Sequence, residues 1–396
     1  MRRFQVVLVL SLFFLTIFSS SFAAGLETRE QLVINFSTSC IDDSGGAVLS
    51  PGAANPTIST TFAIAGILEL LHKWTEANES LTELDITSSM TDWIKELQNT
   101  TVAVNNANYG GFISNPDAEN ATITDTYYAI QTLDWLNQTS SINEGLAANF
   151  TIDLQLLNAT EYPDTVGGFT NTLYSNPSIG ATYYALETLA ILNQLDKING
   201  SLATTWINSC QILNPENTVY YGGFTNGRNS TTATLMSTYM AIRSLELLGN
   251  LTSMNQTAAI TFILSCYHND TNYLQYYGGF GQTPDELAST HLATYYAVAA
   301  SVILGATNQI TGDEITTWII SKQVDNGGFS DSSTGTGLSP QTYLAVVTLS
   351  LLGQIDALDE LVGFELYIFP WFIIILAIII FLFVLCVILA KRAEWF

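Results

Sequence analysis

The chain has 396 residues, with 11 Lys and Arg against 35 Asp and Glu, a formal charge of −24, and only 12% of residues are charged while 48% are hydrophobic. Such a chain buries a large core and is too apolar to be disordered. Its pI near 4.1 excludes a nucleic-acid binder, because phosphate repels this surface instead of releasing counterions to it.

In chain order, residues 1–23 read as a secretory signal peptide. Arg2 and Arg3 open it, Val7 to Phe18 are almost wholly apolar, and Ser21 and Ala23 place small residues at −3 and −1. Residues 24–366 then carry seven Lys and Arg against 34 Asp and Glu, and twelve Asn-X-Ser/Thr sequons from Asn35 to Asn269. This composition is expected of a glycosylated extracellular domain.

Within that stretch one unit recurs six times. A Gly-Gly pair stands at Gly45-Gly46, Gly110-Gly111, Gly167-Gly168, Gly222-Gly223, Gly278-Gly279 and Gly327-Gly328, and in the last five Phe112, Phe169, Phe224, Phe280 and Phe329 follow. Further on come the alanines of a Thr-aromatic-X-Ala pattern: Ala63, Ala129, Ala185, Ala241, Ala297 and Ala345. Apolar residues continue from there at helical spacing, as in Leu186, Leu189 and Leu192. Before each loop a second helix is predicted around Phe36, Trp93, Phe150, Trp206, Phe262 or Trp318. Cys40, Cys210 and Cys266 each lie four residues beyond that aromatic, on the same helix face, which assigns them to packing. No Cys-X-X-Cys pair indicates a disulfide scaffold or a zinc module.

The glycine step suits a chain reversal between close-packed helices, where positive φ is needed. Neither terminal unit reads as the polar cap an open solenoid requires. The predicted fold is therefore all-α: a closed (α/α)6 toroid, six inner helices within six outer ones. Tyr367 to Ala390 has no charge in 24 residues; at about 1.5 Å per residue it covers roughly 36 Å, enough to cross a hydrocarbon core. Lys391 and Arg392 follow, placing the tail 391–396 in the cytoplasm. The expected organisation is a single-pass cell-membrane protein with its N-terminal domain outside.

With the Trp-Ile, Gly-Gly-Phe and Thr-Tyr-X-Ala unit in hand, residues 24–366 resemble the α/α-toroid superfamily, above all the β-subunit of protein prenyltransferases. Trp206-Ile207-Asn208-Ser209-Cys210-Gln211 resembles that family's outer helix. Gly278-Gly279-Phe280-Gly281, continuing to His291-Leu292-Ala293-Thr294-Tyr295, resembles its repeat with one residue missing, and Gly222-Gly223-Phe224 with Gly227-Arg228-Asn229 is similar to its Arg-bearing loop. The resemblance implies a zinc held by Asp, Cys and His that activates a substrate thiolate. Those ligands fall here on Met236, Thr238 and Leu292, so no zinc and no other cofactor is expected. The acid motif of terpenoid cyclases falls on Thr122 to Thr126, where only Asp125 survives, and the thioester run of complement-like toroids is absent.

Functional residues of a toroid are expected on the loops where the inner helices begin, since converging helix N-termini favour an anionic ligand there. Arg228, Asn229, Asp285 and His291 are the candidate ligand-binding residues, and Asp125 and His291 the candidate catalytic ones. Arg243 also stands out among so few bases. The recurring Tyr127, Tyr183, Tyr239, Tyr295 and Tyr343 either line an aromatic cavity or pack helices together. The favoured reading is a binding module for an unknown ligand or surface partner. The alternatives are a prenyl or terpenoid enzyme with relocated catalytic groups, or a carboxylate-based glycan hydrolase.

Overall fold

The computed structural model describes residues 27–81, 85–103, 106–158, 165–228, 230–332, 334–362 and 378. The expected signal peptide, and the expected span 367–390 apart from Ile378, lie outside them. No helix among the described residues is long and apolar enough to cross a membrane. The chain divides into two units, Val33–Ala357 and the two termini, Met1–Leu32 with Leu358–Phe396. In the terminal unit, Thr28 and Leu361 form an antiparallel bridge, and the Arg29 N–H donates to the Glu360 carbonyl over 3.0 Å.

The larger unit is helical, with only isolated bridges between loops among the described residues. Six inner helices, Ile58–Leu70, Ile123–Trp135, Ile179–Ile191, Leu235–Leu247, His291–Ile303 and Ser339–Leu351, each span 13 residues. Each packs on the next and the sixth packs on the first, so the ring is closed. The outer helices are Arg29–Ser39, Ile86–Glu96, Glu144–Asp153, Gly200–Asn208, Gln256–Ser265 and Gly312–Ile320, with a short helix Trp74–Ser80 between the first two units.

Local chemistry sets these boundaries. Thr57, Thr122, Ser178, Thr234 and Thr290 cap the first five inner helices by accepting an N–H of the first turn. The left-handed residues His72, Asn137, Asn193, Gly249, Gly305 and Gly353 stop all six.

The repeat motif follows from contacts between layers. The N–H after each glycine pair donates to a helix threonine: Phe112 to Thr126, Phe169 to Thr182, Phe224 to Thr238, Phe280 to Thr294 and Phe329 to Thr342, over 2.9–3.1 Å. All five phenylalanines are wholly buried between the layers. In the first unit Ala47 donates to Thr61 over 2.9 Å. This corrects the repeat register: Ile64, not Ala63, is equivalent to Ala129, and Phe62 takes the place of Tyr127. Matching Ala63 by residue type alone shifted that unit by one.

The glycine pair has two separate duties. The first glycine has positive φ, for example 93° at Gly222, which an L side chain rarely adopts. The second lies under the aromatic of the following outer helix: a Cβ on Gly111 would stand 2.7 Å from the Phe150 ring, and one on Gly328 2.8 Å from Phe36. The Gly328–Phe36 contact closes the outer layer as well.

Candidate functional site

The predicted mouth of the ring is where the inner helices begin, and there the first-turn amides already have partners. The Ile123 N–H donates to the Asn171 carbonyl (3.0 Å) and the Thr124 hydroxyl to Asn171 Oδ1 (3.0 Å). Asn226 receives the N–H groups of Ile179 and Gly180, and Gln282 those of Leu235 and Met236, over 2.9–3.2 Å. Ser339 N–H reaches the Leu49 carbonyl. The expected anion site at these termini is corrected accordingly: a loop oxygen of the next unit occupies the amides an anion would need.

At the start of the fifth inner helix Asp331, from the loop of the next unit, stands where Asn171, Asn226 and Gln282 serve the second, third and fourth. Its Oδ1 accepts from the His291 N–H (2.7 Å) and lies 2.8 Å from His291 Nδ1. The His291 side chain is wholly buried, its ring 5.0 Å from Trp318 and 5.9 Å from Phe329, and Nε2 has no partner in the structure. Burial alone would raise the Asp331 carboxyl, but the His291 hydrogen bonds and charge, with Gln341, hold it below the usual value.

Asp125 braces the Thr122 cap: its N–H donates to Thr122 Oγ1 (3.0 Å), whose hydroxyl donates back to Asp125 Oδ2 (2.6 Å). Burial raises its pKa and the Thr122 bond opposes this. Asp285 is exposed and accepts from the Tyr220 hydroxyl over 3.3 Å, while the nearby Glu286 accepts from the Gln282 N–H over 2.7 Å. Arg228 is exposed, and Asn229 lies outside the described residues. Among the candidates, the structure pairs His291 with Asp331; the described bonds of Asp125 and Asp285 go elsewhere.

Inside the ring the fifth residues of the inner helices form an aromatic layer. Ring centroids are 5.8 Å apart for Phe62–Tyr127, 6.0 Å for Tyr127–Tyr183, 5.8 Å for Tyr183–Tyr239, 5.6 Å for Tyr239–Tyr295 and 5.2 Å for Tyr343–Phe62. Tyr128 with Tyr184, and Tyr239 with Tyr295, pair their hydroxyls at 3.3 Å. Burial raises the pKa of these phenols, so they stay neutral. The recurring tyrosines thus pack ring against ring. One turn further on, the buried Glu187 holds Arg243 through Nε at 2.7 Å, and Arg243 also reaches Glu246 at 2.8 Å. Arg243 is therefore a paired structural cation.

The residues at the zinc-aligned positions do not fit a zinc ion. Met236 supplies no carboxylate, Leu292 no nitrogen, and the buried Thr238 hydroxyl accepts the Phe224 N–H (3.0 Å). The neighbouring His291 has its Nδ1 on Asp331. No group of three His, Cys, Asp or Glu residues suited to a metal occurs among the described residues. Cys40, Cys210 and Cys266 are buried free thiols, pushed up to about 11, 11 and 12 by desolvation, which suppresses the thiolate. In the sixth unit Lys322 takes their place and donates to the Gln275 carbonyl over 2.9 Å.

One recurring group was missed in the sequence. Five residues after the outer aromatic, Gln98, Gln155 and Gln211 each bridge the glycine loop to the next outer helix. Gln155 Nε2 donates to the Gly167 and Asn199 carbonyls (3.3 and 3.0 Å) and its Oε1 accepts from the Asn199 N–H (2.9 Å). The constant offset from the aromatic was the available signal.

These features are those of a helical toroid in which each unit interlocks with the next. The profile of the prenyltransferase alpha-alpha toroid domain matches residues 8–111, 29–213, 116–329 and 180–368, and the chain belongs to that family. The geranylgeranyl transferase type-2 subunit beta of Saccharomyces cerevisiae is 28% identical over 122 residues, 30% of this chain and 35% of that protein, so the match spans about a third of the relative's length. The solved structure of Candida albicans protein geranylgeranyltransferase-I complexed with GGPP shares the fold, with a TM-score of 0.60 and 17% identity over 76% of this chain and 86% of that one. A solved structure of a glycosidase variant has a TM-score of 0.49 and 8% identity over 82% and 98% of the two chains.

Proposed function

We propose that this chain is a membrane-anchored, cell-surface toroid that binds a ligand or a partner protein and does not transfer a prenyl group. The observation that carries this reading is the use of Thr238: the hydroxyl at the position of the zinc-binding cysteine locks the Phe224 loop onto the inner helix, and Met236 and Leu292 complete a set without a carboxylate, thiolate or imidazole. A transferase of this family needs a metal-bound thiolate as nucleophile, and these residues supply no site for it.

The topology rests on the ends of the chain: a basic, then apolar start at residues 1–23, an uncharged 24-residue run from Tyr367, and Lys391 and Arg392 directly after. The sequons agree with an exterior domain. Asn35, Asn120, Asn137, Asn149, Asn158, Asn199, Asn255 and Asn269 are exposed, and Asn78, Asn99 and Asn250 are half-buried.

The test uses the full chain purified in detergent, assayed for zinc content and for transfer from geranylgeranyl diphosphate to cysteine-containing acceptor peptides. The expected result is neither stoichiometric zinc nor transfer. Bound zinc lost on His291→Ala, together with prenyl transfer, would overturn the proposal in favour of a relocated catalytic centre.

A further inference from the structure

A groove of about 390 Å³ lies on the outside of the ring, where the third outer helix meets the loops before Gly110 and after Phe169. Its wall includes the half-buried Tyr109, the exposed Leu173 and Asp153, and Asn149. Asn149 heads the sequon Asn149-Phe150-Thr151. It projects from the exposed face of the helix Glu144–Asp153, whereas Phe150 and Thr151 turn inward and are buried. An acceptor amide therefore stands in the wall of a groove that the protein leaves unfilled.

We infer that Asn149 carries an N-linked glycan whose first N-acetylglucosamine lies in this groove. The C–H face of a pyranose packs against the Tyr109 ring and Leu173, while Asp153 accepts from sugar hydroxyls at the rim. The bond forms when the Asn149 amide nitrogen attacks the anomeric carbon of a lipid-linked diphosphate sugar donor, losing a proton as the lipid diphosphate leaves, and the tethered sugar then stays at the groove without the entropy cost of capturing a free ligand. This inference rests on the exterior topology proposed above. It adds that one glycan is part of the folded surface, while those on sites such as Asn137, at the left-handed end of an inner helix, stand free in solvent.

The experiment expresses the full chain in cells with a eukaryotic secretory pathway and purifies it in detergent. Native peptide-N-glycosidase is followed over time in heavy-oxygen water, and mass spectrometry reads release at each asparagine. Expected is release at Asn149 at least about tenfold slower than at Asn137, equivalent to about 1.4 kcal/mol of seating, with equal rates after denaturation. Tyr109→Ala should bring the native rate at Asn149 up toward that at Asn137, and Leu173→Ser serves the same purpose should the first variant misfold. Sugar on Asn137 and Asn199 but none on Asn149, or equal native release at Asn149 and Asn137, overturns the inference and leaves the exterior topology standing. Sugar on no sequon overturns both.

Discussion

His291 occupies a helix-start position where the other units carry Ile58, Ile123, Ile179, Leu235 and Ser339, all of them buried. An imidazole is tolerated there because Asp331 replaces the amide side chain of Asn171, Asn226 and Gln282 and satisfies Nδ1. The carboxyl of Asp331 sits below its usual value, against an unfolded value of about 3.9. Its contribution to stability is complete above about pH 4 and is lost as pH falls through the folded value. Asp331→Asn keeps the oxygen cap and removes this dependence, so its gap in thermal midpoint to the parent should narrow as pH falls below about 4. A gap unchanged down to pH 3 would deny the pairing. Arg243 and Glu187 allow a second test at this scale. Glu187→Gln leaves a partly buried guanidinium half-partnered, and because Arg243 is one-third exposed the expected loss is about 2 kcal/mol, between exposed and fully buried pairs. Denaturant unfolding measures it, and a loss within about 0.5 kcal/mol of zero would reject the pair as a brace.

Among the elements, the loop joining each outer helix to its inner helix determines the repeat. Gly-Gly-Phe and Thr-Tyr-X-Ala were visible because each half is locked to fixed residue types: positive φ, close approach to a ring, a hydroxyl facing an amide. The glutamine bridge was hidden because its partners are backbone groups, which leave no mark on composition. Its fifth member departs from type as well: Tyr267 stands there, and its hydroxyl meets Glu314 at 2.5 Å. Gln155→Leu strips the Asn199 N–H and two carbonyls of partners in a buried setting. The expected cost is about 2 kcal/mol, read as a lower urea midpoint at unchanged slope. An unchanged midpoint would mean that water replaces the glutamine. The misplaced Ala63 shows the limit of reading by residue type: in the first unit Ala47 replaces phenylalanine and Thr57 to Thr61 is rich in threonine, so the register is fixed by contacts, namely the Ala47–Thr61 hydrogen bond, the Thr57 cap and the Phe62 ring.

At the scale of the ring, the number of units and their two layers were legible, because six copies of a motif that needs neighbours on both sides leave no unit able to serve as an end. The candidate site was legible only as a set of polar loop residues. Which of them meet depends on contacts between units, as when Asp331 reaches His291 across 40 positions, and no spacing in the sequence encodes those. The inner tyrosines were left between cavity and core for the same reason, since their partners lie one helix away.

Closure itself is tested most directly by coupling across the seam between the first and last units. Gly328→Ala drives a methyl group into the Phe36 ring, and overpacking of this kind costs about 1–3 kcal/mol. In a closed ring the same substitution made in a Phe36→Ala background should cost far less, giving a coupling above about 1 kcal/mol between residues 292 positions apart. Additivity of the two substitutions within about 0.5 kcal/mol, while the equivalent Gly223–Phe262 pair couples within the ring, would contradict closure.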